Sequence, residues 1–568
     1  PAWYAVLALP SIMEQADEST ETLFTRLYAN TLARHLVTSD PRIGRVFEQW
    51  RLAAGQGGTA LDSPLEKNSD LMATLLAETP WVRDAVDERE SRARIALLFD
   101  ATRASNETQA SLARLESLRN GDGGWPWFPG GQTCDSVTLG ILAGFGRLRA
   151  AGARVDVQPA LATLPWLDAR LIEERRRAEK LSPDGKEGIS LTDIGVYALY
   201  ARSFFATDAP PQGDAAAAIA WAFDVGRKSW MKLDARRSQG HLAIALARAG
   251  DRATALSIID SLRQRAVDAA VKPGEEKESW QGMWWRDRHP GWWNWACAPI
   301  ATQAIMIEAF DEVAGDKDAV EALKVWLLSQ KRTSRWPGSR ATADAVGALL
   351  GRGDGLLGSQ ELMTVDIGGE RVKPAAVEAG TGFFEARFVR KEIGPAMAAI
   401  TLAKPDKGLA WGGVHWQYLD DIANVAAAGR EELAIEKRLF VKRFTKEGPR
   451  LEPAADDVRL GDELVVRLVV TSDRDYEFLE LADHRPSLTE PVDVLSGWRW
   501  GDGAGWYVAV RDASTRLFFE RLPRGTHVFE YSLRAAHRGT ASSGFATIQS
   551  RYAPEFSAHS ASIPVSVR

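Results

Sequence analysis

Between about residues 17 and 355 the apolar positions recur every three or four residues, the period of a helix buried along one face. Leu23, Phe24, Leu27, Tyr28, Thr31, Leu32 and Leu36 form one such stripe. Thr192 or Asp193 stands where a helix cap belongs, ahead of an inner face carrying Ile194, Tyr197, Ala201 and Phe204. Residues 242–266 predict a helix–turn–helix with Gly250-Asp251 as the turn, and residues 319–330 and 341–350 predict another pair. Many antiparallel helix pairs with no strand between them, at an irregular spacing, predict a closed α/α toroid.

After Gly358 the period changes to two. MTVDIGGERV (363–372), GFFEARFV (382–389) and PAMAAITLAK (395–404) read as strands between glycines and prolines. AAAGREELAIEKR (426–438) reads as a charged segment, after which strands resume at 462–472, 505–512 and 526–536. In the last of these, Phe529, Tyr531 and Leu533 face one way and Glu530, Ser532 and Arg534 the other. Such strands at regular spacing suit an antiparallel β-sandwich. The fold class is therefore multidomain α plus β.

Composition narrows the function more than the fold. The chain of 568 residues is too long for one core. Seventy Lys and Arg against 76 Asp and Glu leave a net charge of −6, which argues against a sequence-independent nucleic-acid binder. Two cysteines, Cys134 and Cys297, exclude a disulfide framework and any multi-cysteine metal site. No apolar run reaches the roughly 18 residues of a membrane span. The chain starts at Pro1 without an initiator Met or a basic leader, so it reads as a piece of a longer polypeptide whose export signal or anchor would lie upstream.

Tryptophan is over-represented at 21 residues, and it clusters. Trp125 and Trp127 sit in GDGGWPWFPGG; Trp280, Trp284, Trp285, Trp292, Trp293 and Trp295 crowd one later loop, and Trp336 sits in TSRWPG. Rings beside Gly and Pro read first as wedges between helix ends. The competing reading is a cleft lined with aromatic faces for a sugar or an isoprenoid. No HExxH, CxxC, Walker or GxSxG pattern occurs, no metal or cofactor is implied, and His289 and His415 read as packed rings. Asp122, Asp135, Glu278 and Asp287 are the acids to watch for a glycosidase-type pair.

Residues 11–33, SIMEQADESTETLFTRLYANTLA, place Ser19-Thr20-Glu21-Thr22 at the start of an amphipathic helix. From the residues alone this is a helix start, with Ser19 or Thr20 capping a free N–H and Asp17, Glu18 and Glu21 at the positive end. With no His nearby in sequence, Ser19 is not expected to be a nucleophile.

The order of segments resembles bacterial alpha-2-macroglobulin-like proteins. Pro1-Ala2-Trp3-Tyr4, Leu9-Pro10, Met13-Glu14, Ser19-Thr20-Glu21-Thr22 and Arg26-Leu27-Tyr28-Ala29-Asn30 are similar to the opening of their thioester domain. GDGGWPWFPGG (121–131), APIATQAIMIEAF (298–310) and QKRTSRWPGSRATADAVGALL (330–350) are similar to its helical toroid. Asp406-Lys407-Gly408, Trp411-Gly412 and His415-Trp416-Gln417-Tyr418 resemble the end of the small β domain that the toroid interrupts, and 494–513 and 552–560 resemble the terminal macroglobulin-like sandwich. The resemblance implies a strand of a CUB-like domain at 1–10, a thioester-domain-like toroid at 11–357, the remainder of the CUB-like domain at 358–430 and a receptor-binding-like sandwich at 431–568.

In that family a Cys thiol and a Gln side chain form an internal thioester that acylates an attacking protease after a bait segment is cut. Here Ser19 stands in place of the Cys and Thr22 in place of the Gln, so the pair holds no acyl group and no thioester is expected. Glu18 or Glu21 could in principle esterify Ser19, giving a far less reactive ester. What the resemblance then implies is a non-enzymatic, non-covalent protease trap in the periplasm or cell envelope. Its bait region and lipid anchor would lie upstream, and its neighbours would include peptidoglycan synthases. The alternatives are an α/α-toroid carbohydrate-active enzyme and an envelope adhesion or assembly module.

Overall fold

The computed structural model describes residues 5–6, 8–13, 19–39, 45–46, 48–49, 101–181, 189–268, 282–285, 298–330, 336, 338–352, 361–374, 377, 382, 384, 386–389, 392–405, 421, 424–429, 432–454, 458–501, 503–550 and 556–568. These fall into two compact units, one holding the described residues up to 405 and the other those from 421.

The first unit is mainly helical. Its helices are α1 (Leu9–Met13), α2 (Thr20–Ser39), α3 (Ala101–Ser117), α4 (Asp135–Ala150), α5 (Gln158–Leu181) and α6 (Asp193–Ser203). They continue as α7 (Gly213–Ser229), α8 (Arg236–Arg248), α9 (Arg252–Gln264), α10 (Pro299–Ala309), α11 (Lys317–Ser329) and α12 (Ser339–Gly351). The even-numbered helices pack in a closed circuit: α2 on α4, α4 on α6, α6 on α8, α8 on α10, α10 on α12, and α12 back on α2. The odd-numbered helices lie outside them, α3 against α2, α5 against α4 and α6, α9 against α8, and α11 against α10. Short α1 packs on both α2 and α12, where the circuit closes. This is an α/α toroid.

Sequence explains where the helices begin. Thr192 accepts the Gly195 N–H at the start of α6, Asp251 accepts the Thr254 N–H at α9, and Asp316 accepts the Ala319 N–H at α11. Gly250 has φ of +90°, a conformation that suits glycine, and it makes the α8–α9 turn.

It also explains how closely the inner helices approach. Helix α4 carries three buried glycines, a poor choice for helix propensity alone. A Cβ on Gly144 would lie 2.3 Å from the Phe24 ring on α2, one on Gly140 2.2 Å from the Arg340 guanidinium on α12, and one on Gly146 2.2 Å from Phe204 at the end of α6. These positions let three neighbours meet the α4 backbone.

Three tryptophans tie loops to outer helices by one device. Trp125 Nε1 donates to Leu115 O near the end of α3, Trp285 Nε1 to Leu262 O near the end of α9, and Trp336 Nε1 to Leu327 O near the end of α11, each at 2.9 Å. Each ring is buried, and each N–H donates to a carbonyl in the last turn of its helix.

Some expected strands are absent. Residues 5–6 and 9–13 are helical, because Val6, Leu9, Ile12 and Met13 continue the helical period and are all buried; Pro10 sits in the first turn of α1, where it is tolerated. The described residues of 382–389 form no strand, and Val389 N turns to the Glu392 carboxylate instead of a neighbouring strand. Residues 395–398 are a 3₁₀ turn opened by Pro395. Short β1 (Val267–Asp268) pairs with β2 (Met283–Trp284), and β3 (Thr364–Ile367) lies between β4 (Glu370–Arg371) and β5 (Ile400–Ala403) in an antiparallel sheet.

The second unit is a sandwich of two antiparallel sheets. One has the order β10 (Thr489–Pro491), β14 (Gly525–Ala535), β8 (Glu463–Ser472), β6 (Leu433–Thr445) and β7 (Gly448–Pro453). The other has the order β11 (Gly497–Gly501), β12 (Ala504–Val510), β13 (Ser514–Leu522), β9 (Tyr476–His484), β16 (Ala546–Ser550) and β17 (Ser557–His559). A third pair joins β15 (Gly539–Ser542) to β18 (Pro564–Val567). Leu439, Leu464, Leu468, Leu481, Phe519 and Ile548 from the two sheets share one core. In β14 Phe529 and Leu533 are buried while Glu530 and Arg534 are exposed, as the alternation predicts. The segment 426–438 differs: from Leu433 it is a strand, with Leu433, Ile435, Lys437 and Leu439 all inward.

Gly144→Ala is expected to destabilise the helical unit even though alanine is the better helix former, by about 1–3 kcal/mol for overpacking. Chemical denaturation followed by far-ultraviolet circular dichroism measures this; a gain in stability would show that α2 does not rest on Gly144.

Candidate functional site

Ser19 is the cap of α2: its Oγ accepts the Thr22 N–H at 3.1 Å, and its carbonyl accepts the Leu23 N–H. The Ser19 hydroxyl in turn donates to Thr22 Oγ1 at 2.9 Å. One helical turn thus brings the two side chains into contact. Ser19, Thr20 and Thr22 are buried, and Thr20 Oγ1 finds no partner among the described residues. Glu21 is half-buried; Asp17 and Glu18 lie outside the described residues. Two alcohols in contact can exchange hydrogen bonds, but neither carries an acyl group, so no ester can form between them.

The segment is held by the loop at 120–133. Thr20 N donates to Trp127 O at 2.8 Å. Within the loop, Asp122 Oδ1 accepts from Gly124 N and from Thr133 Oγ1, and Asn120 Nδ2 donates to Gly131 O and Thr133 Oγ1. Gly123 has φ of +93°, and a Cβ on Gly124 would meet Thr133 Cγ2 at 2.3 Å. At the tip, Trp127 and Phe128 stack with centroids 5.2 Å apart and stay half exposed, unlike buried Trp125. Cys134, half-buried at the start of α4, has its Sγ 3.4 Å from Ser136 Oγ.

Trp293, Trp295, Glu278, Asp287, His289, His415 and Cys297 lie outside the described residues. Asp122 borders a groove with Asn120, Thr133 and Arg170, and Asp135 pairs with that Arg170 at 3.3 Å. Burial raises the Asp135 carboxyl above its usual range, Arg170 opposes that, and Glu173 and Asp122 add to it.

Sequence reasoning missed the polar hub of the toroid, to which all six inner helices contribute. Arg147 of α4 donates from Nε to Tyr200 OH of α6 at 3.0 Å and to Glu308 of α10 at 3.2 Å, and from Nη1 to Asp344 of α12 at 2.7 Å. Tyr200 donates to Glu308 at 2.8 Å, and Arg248 of α8 pairs with Glu308 at 3.1 Å. Arg352, just past α12, pairs with Glu308 at 3.1 Å, and Arg340 with Asp344 at 3.1 Å. Tyr28 of α2 and these acids line a cavity of about 20 Å³, near the room of one water. His241 stacks on Tyr197 at 4.7 Å between the inner helices.

Burial alone would raise both acids, but Arg147, Arg352 and Arg248 hold Glu308 below the usual carboxylate range, and Arg340, Arg147 and Arg237 do so for Asp344. Burial pushes the Tyr28 phenol up to about 12, and burial with the nearby arginines drives His241 well below its ordinary value, so its ring is neutral. The hub is a saturated structural cluster, with both acids bound to guanidinium groups. Its signal in the sequence was a lone acid inside an apolar helix, as in AIMIEAF and ATADAVGALL.

Residues 433–555 match the family model described as "Bacterial Alpha-2-macroglobulin MG10 domain". This stretch is most of the β-sandwich. The chain is also similar to solved bacterial alpha-2-macroglobulins. The native Escherichia coli protein, from domain MG7 to the C-terminus, has 12% identity and a TM-score of 0.35, over 99% of this chain and 75% of that one. The Salmonella Y1175G mutant has 14% identity and a TM-score of 0.36, over 99% of this chain and 31% of its own. The trypsin-activated Escherichia coli protein has 14% identity and a TM-score of 0.39, over 90% of this chain and 32% of its own. These superpositions are too loose to transfer a residue's role. A search of curated proteins returns no match. Among the described residues no helix is long and apolar enough to cross a membrane.

Glu308→Gln should cost on the order of 3–5 kcal/mol, because it leaves Arg147, Arg248 and Arg352 without their shared carboxylate. The pH dependence has a definite sign. Carboxyls whose folded values are depressed contribute stability that is present above their unfolded values near 4 and is lost as pH falls through the folded ones. Melting of the helical unit should hold steady from neutrality to about pH 5 and fall below about pH 4, and the fall should be shallower in Glu308→Gln.

Proposed function

We propose that the chain is the C-terminal part of an alpha-2-macroglobulin-type protease trap of the bacterial envelope, working without a thioester. On this reading the toroid at 11–357 is the thioester-domain-like body, 358–430 completes a CUB-like domain, and 431–568 is the macroglobulin-like terminal sandwich. Ser19 and Thr22 take the places of the thioester Cys and Gln, with Thr20 and Glu21 between them. On this reading Trp125 and Trp336 are structural aromatics of the toroid loops, whereas the Trp127 ring stays half exposed.

The observation that carries the reading is the contact of Ser19 and Thr22 in one helical turn, in a chain whose terminal sandwich matches the MG10 family model. The pair keeps the positional logic of an internal bond between residues three apart and replaces that bond with a hydrogen bond. Trapping would then rest on domain movement after a protease cuts an upstream bait segment, with no acyl transfer and no catalysis. Proteases are the partners. The periplasm or outer envelope is the compartment, with tethering through a segment outside this chain.

The groove at Asp122, with Asp135 held on Arg170 beside it, favours a second reading, a carbohydrate-active toroid, because burial keeps the Asp135 carboxyl more protonated than usual near another acid. Arg170 on Asp135 and the loop bonds of Asp122 give both acids structural work already. Turnover of soluble glycans that is abolished by Asp135→Asn would establish that reading over the first.

Methylamine treatment followed by peptide mapping should leave residues 11–33 unchanged in mass, whereas an adduct there would overturn the reading. The double variant Ser19→Cys, Thr22→Gln restores both partners, the thiol displacing ammonia from the amide. Appearance of a methylamine adduct together with a free thiol is the expected result for the full-length protein. Incubation of the unsubstituted full-length protein with several proteases should give cleavage outside this chain and a mobility change, with no covalent protease conjugate.

A further inference from the structure

Within the sandwich, Lys437 of β6 and Asp483 of β9 meet with Nζ 2.7 Å from Oδ1, and both side chains are fully shielded from solvent. β6 belongs to one sheet and β9 to the other, so the contact spans the core between them. Nζ also donates to His484 O at 2.7 Å and Ser543 O at 3.0 Å, which fixes the nitrogen against the carboxyl. On the far oxygen, the Tyr531 hydroxyl donates to Asp483 Oδ2 at 2.5 Å. Lys437 is thus an amine and Asp483 an acid, pressed together in a dry β-sandwich with a hydrogen-bond donor already on the oxygen that would become a carbonyl.

We propose that Lys437 and Asp483 form an intramolecular isopeptide bond that staples the two sheets of the sandwich. The Nζ lone pair attacks Cγ of Asp483, and a tetrahedral centre forms with its developing charge on Oδ2, where Tyr531 donates. The Cγ–Oδ1 bond then breaks, and Oδ1 leaves as water with protons from Nζ. The Cγ–Nζ amide remains, with its N–H directed to a neighbouring carbonyl. The atoms balance without an oxidant, a cofactor or a second substrate.

Two physical effects favour condensation here over the ordinary solution outcome. The reacting atoms are held in contact, which replaces an encounter with an effective molarity reaching about 10⁵–10⁸ M in well-oriented cases. The interior excludes the water that would drive the reverse reaction. Burial also lowers Lys437 and raises Asp483, with each opposed by its partner, and so moves both toward the neutral amine and neutral acid that react. A charged pair in the same place would lose much of its attraction to desolvation, whereas an amide carries no such cost.

The test is peptide mapping of the full chain, denatured and digested with trypsin. The bond predicts that residues 431–438, uncleaved at Lys437, appear joined to 475–499, with the joined mass one water below the sum of the two. Asp483→Asn should give a joined species of the same final mass, since ammonia leaves in place of water. Asp483→Ala should give only separate peptides. Tyr531→Phe, which keeps the ring in the core, should slow accumulation of the joined species by about 10²-fold or more if the hydroxyl acts as the oxyanion donor. Recovery of separate, unshifted peptides from the folded wild-type chain would overturn the proposal, and the result bears on neither the protease-trap reading nor the Ser19–Thr22 pair.

Discussion

The toroid depends on one constraint: six inner helices must close on a common axis, and the groups that meet there are charged. Hydrophobic contacts are non-directional and would allow neighbouring inner helices to slide or rotate against one another. The Glu308 carboxylate, held by Tyr200 and by guanidinium groups reaching from α4, α8 and the end of α12, is satisfied in one arrangement only. Buried ion clusters add little net stability, because desolvation offsets their attraction. Their cost when broken is large, so their effect falls on which packing is allowed. The glycines of α4 and Gly347 on α12 belong to the same requirement. A Cβ on Gly347 would meet the Tyr28 hydroxyl at 2.2 Å, at the seam where α12 returns to α2.

The loops follow from this closure. Once the inner helices are fixed, three of the outer helices, α3, α9 and α11, end against a large buried ring. The buried indoles of Trp125, Trp285 and Trp336 are these rings, and they donate to carbonyls in the last turns of α3, α9 and α11. Apolar area and a directed hydrogen bond are needed at the same point, and tryptophan supplies both. Trp127 is a different case. Its backbone carbonyl holds Thr20, while its ring stays half exposed beside Phe128. In one loop, then, Trp125 serves the fold and Trp127 presents a surface.

How much of this was legible depended on whether the information was local. The helix cap at Thr192, the turn at Gly250-Asp251 and the alternation in β14 rest on residues within a few positions of one another, and each stands in the structure as the pattern predicts. The opening strand expected at residues 1–10 followed from the resemblance, while Val6, Leu9, Ile12 and Met13 carried the helical period all along. The strand from Leu433 was hidden by Lys437, because a lysine at an inward position makes LAIEKR look like a solvated charge run. The hub was hidden for the opposite reason: Arg147, Tyr200, Glu308 and Asp344 are isolated polar residues in apolar helices, and their partners lie far away in sequence. The Ser19–Thr22 contact was half visible. The spacing announced a cap, and the reciprocal hydroxyl bond needed coordinates.

These cases share a rule about what burial does to polar side chains. In each of three buried pairings a polar group persists because another is shaped to meet it, and the partner decides whether the result is inert or reactive. In the hub, carboxylates face guanidinium groups that stay charged under all ordinary conditions, so the cluster can only be a fixed charge lattice. At Ser19 and Thr22, two alcohols face each other and exchange a hydrogen bond without any electrophile. At Lys437 and Asp483, the facing groups are the one combination of the three in which proton transfer leaves a nucleophile beside an acyl carbon. Chemistry in this chain therefore follows the pairing of buried groups more closely than their depth, and the reactive pairing is Lys437 with Asp483 in the sandwich, not Ser19 with Thr22 at the start of α2.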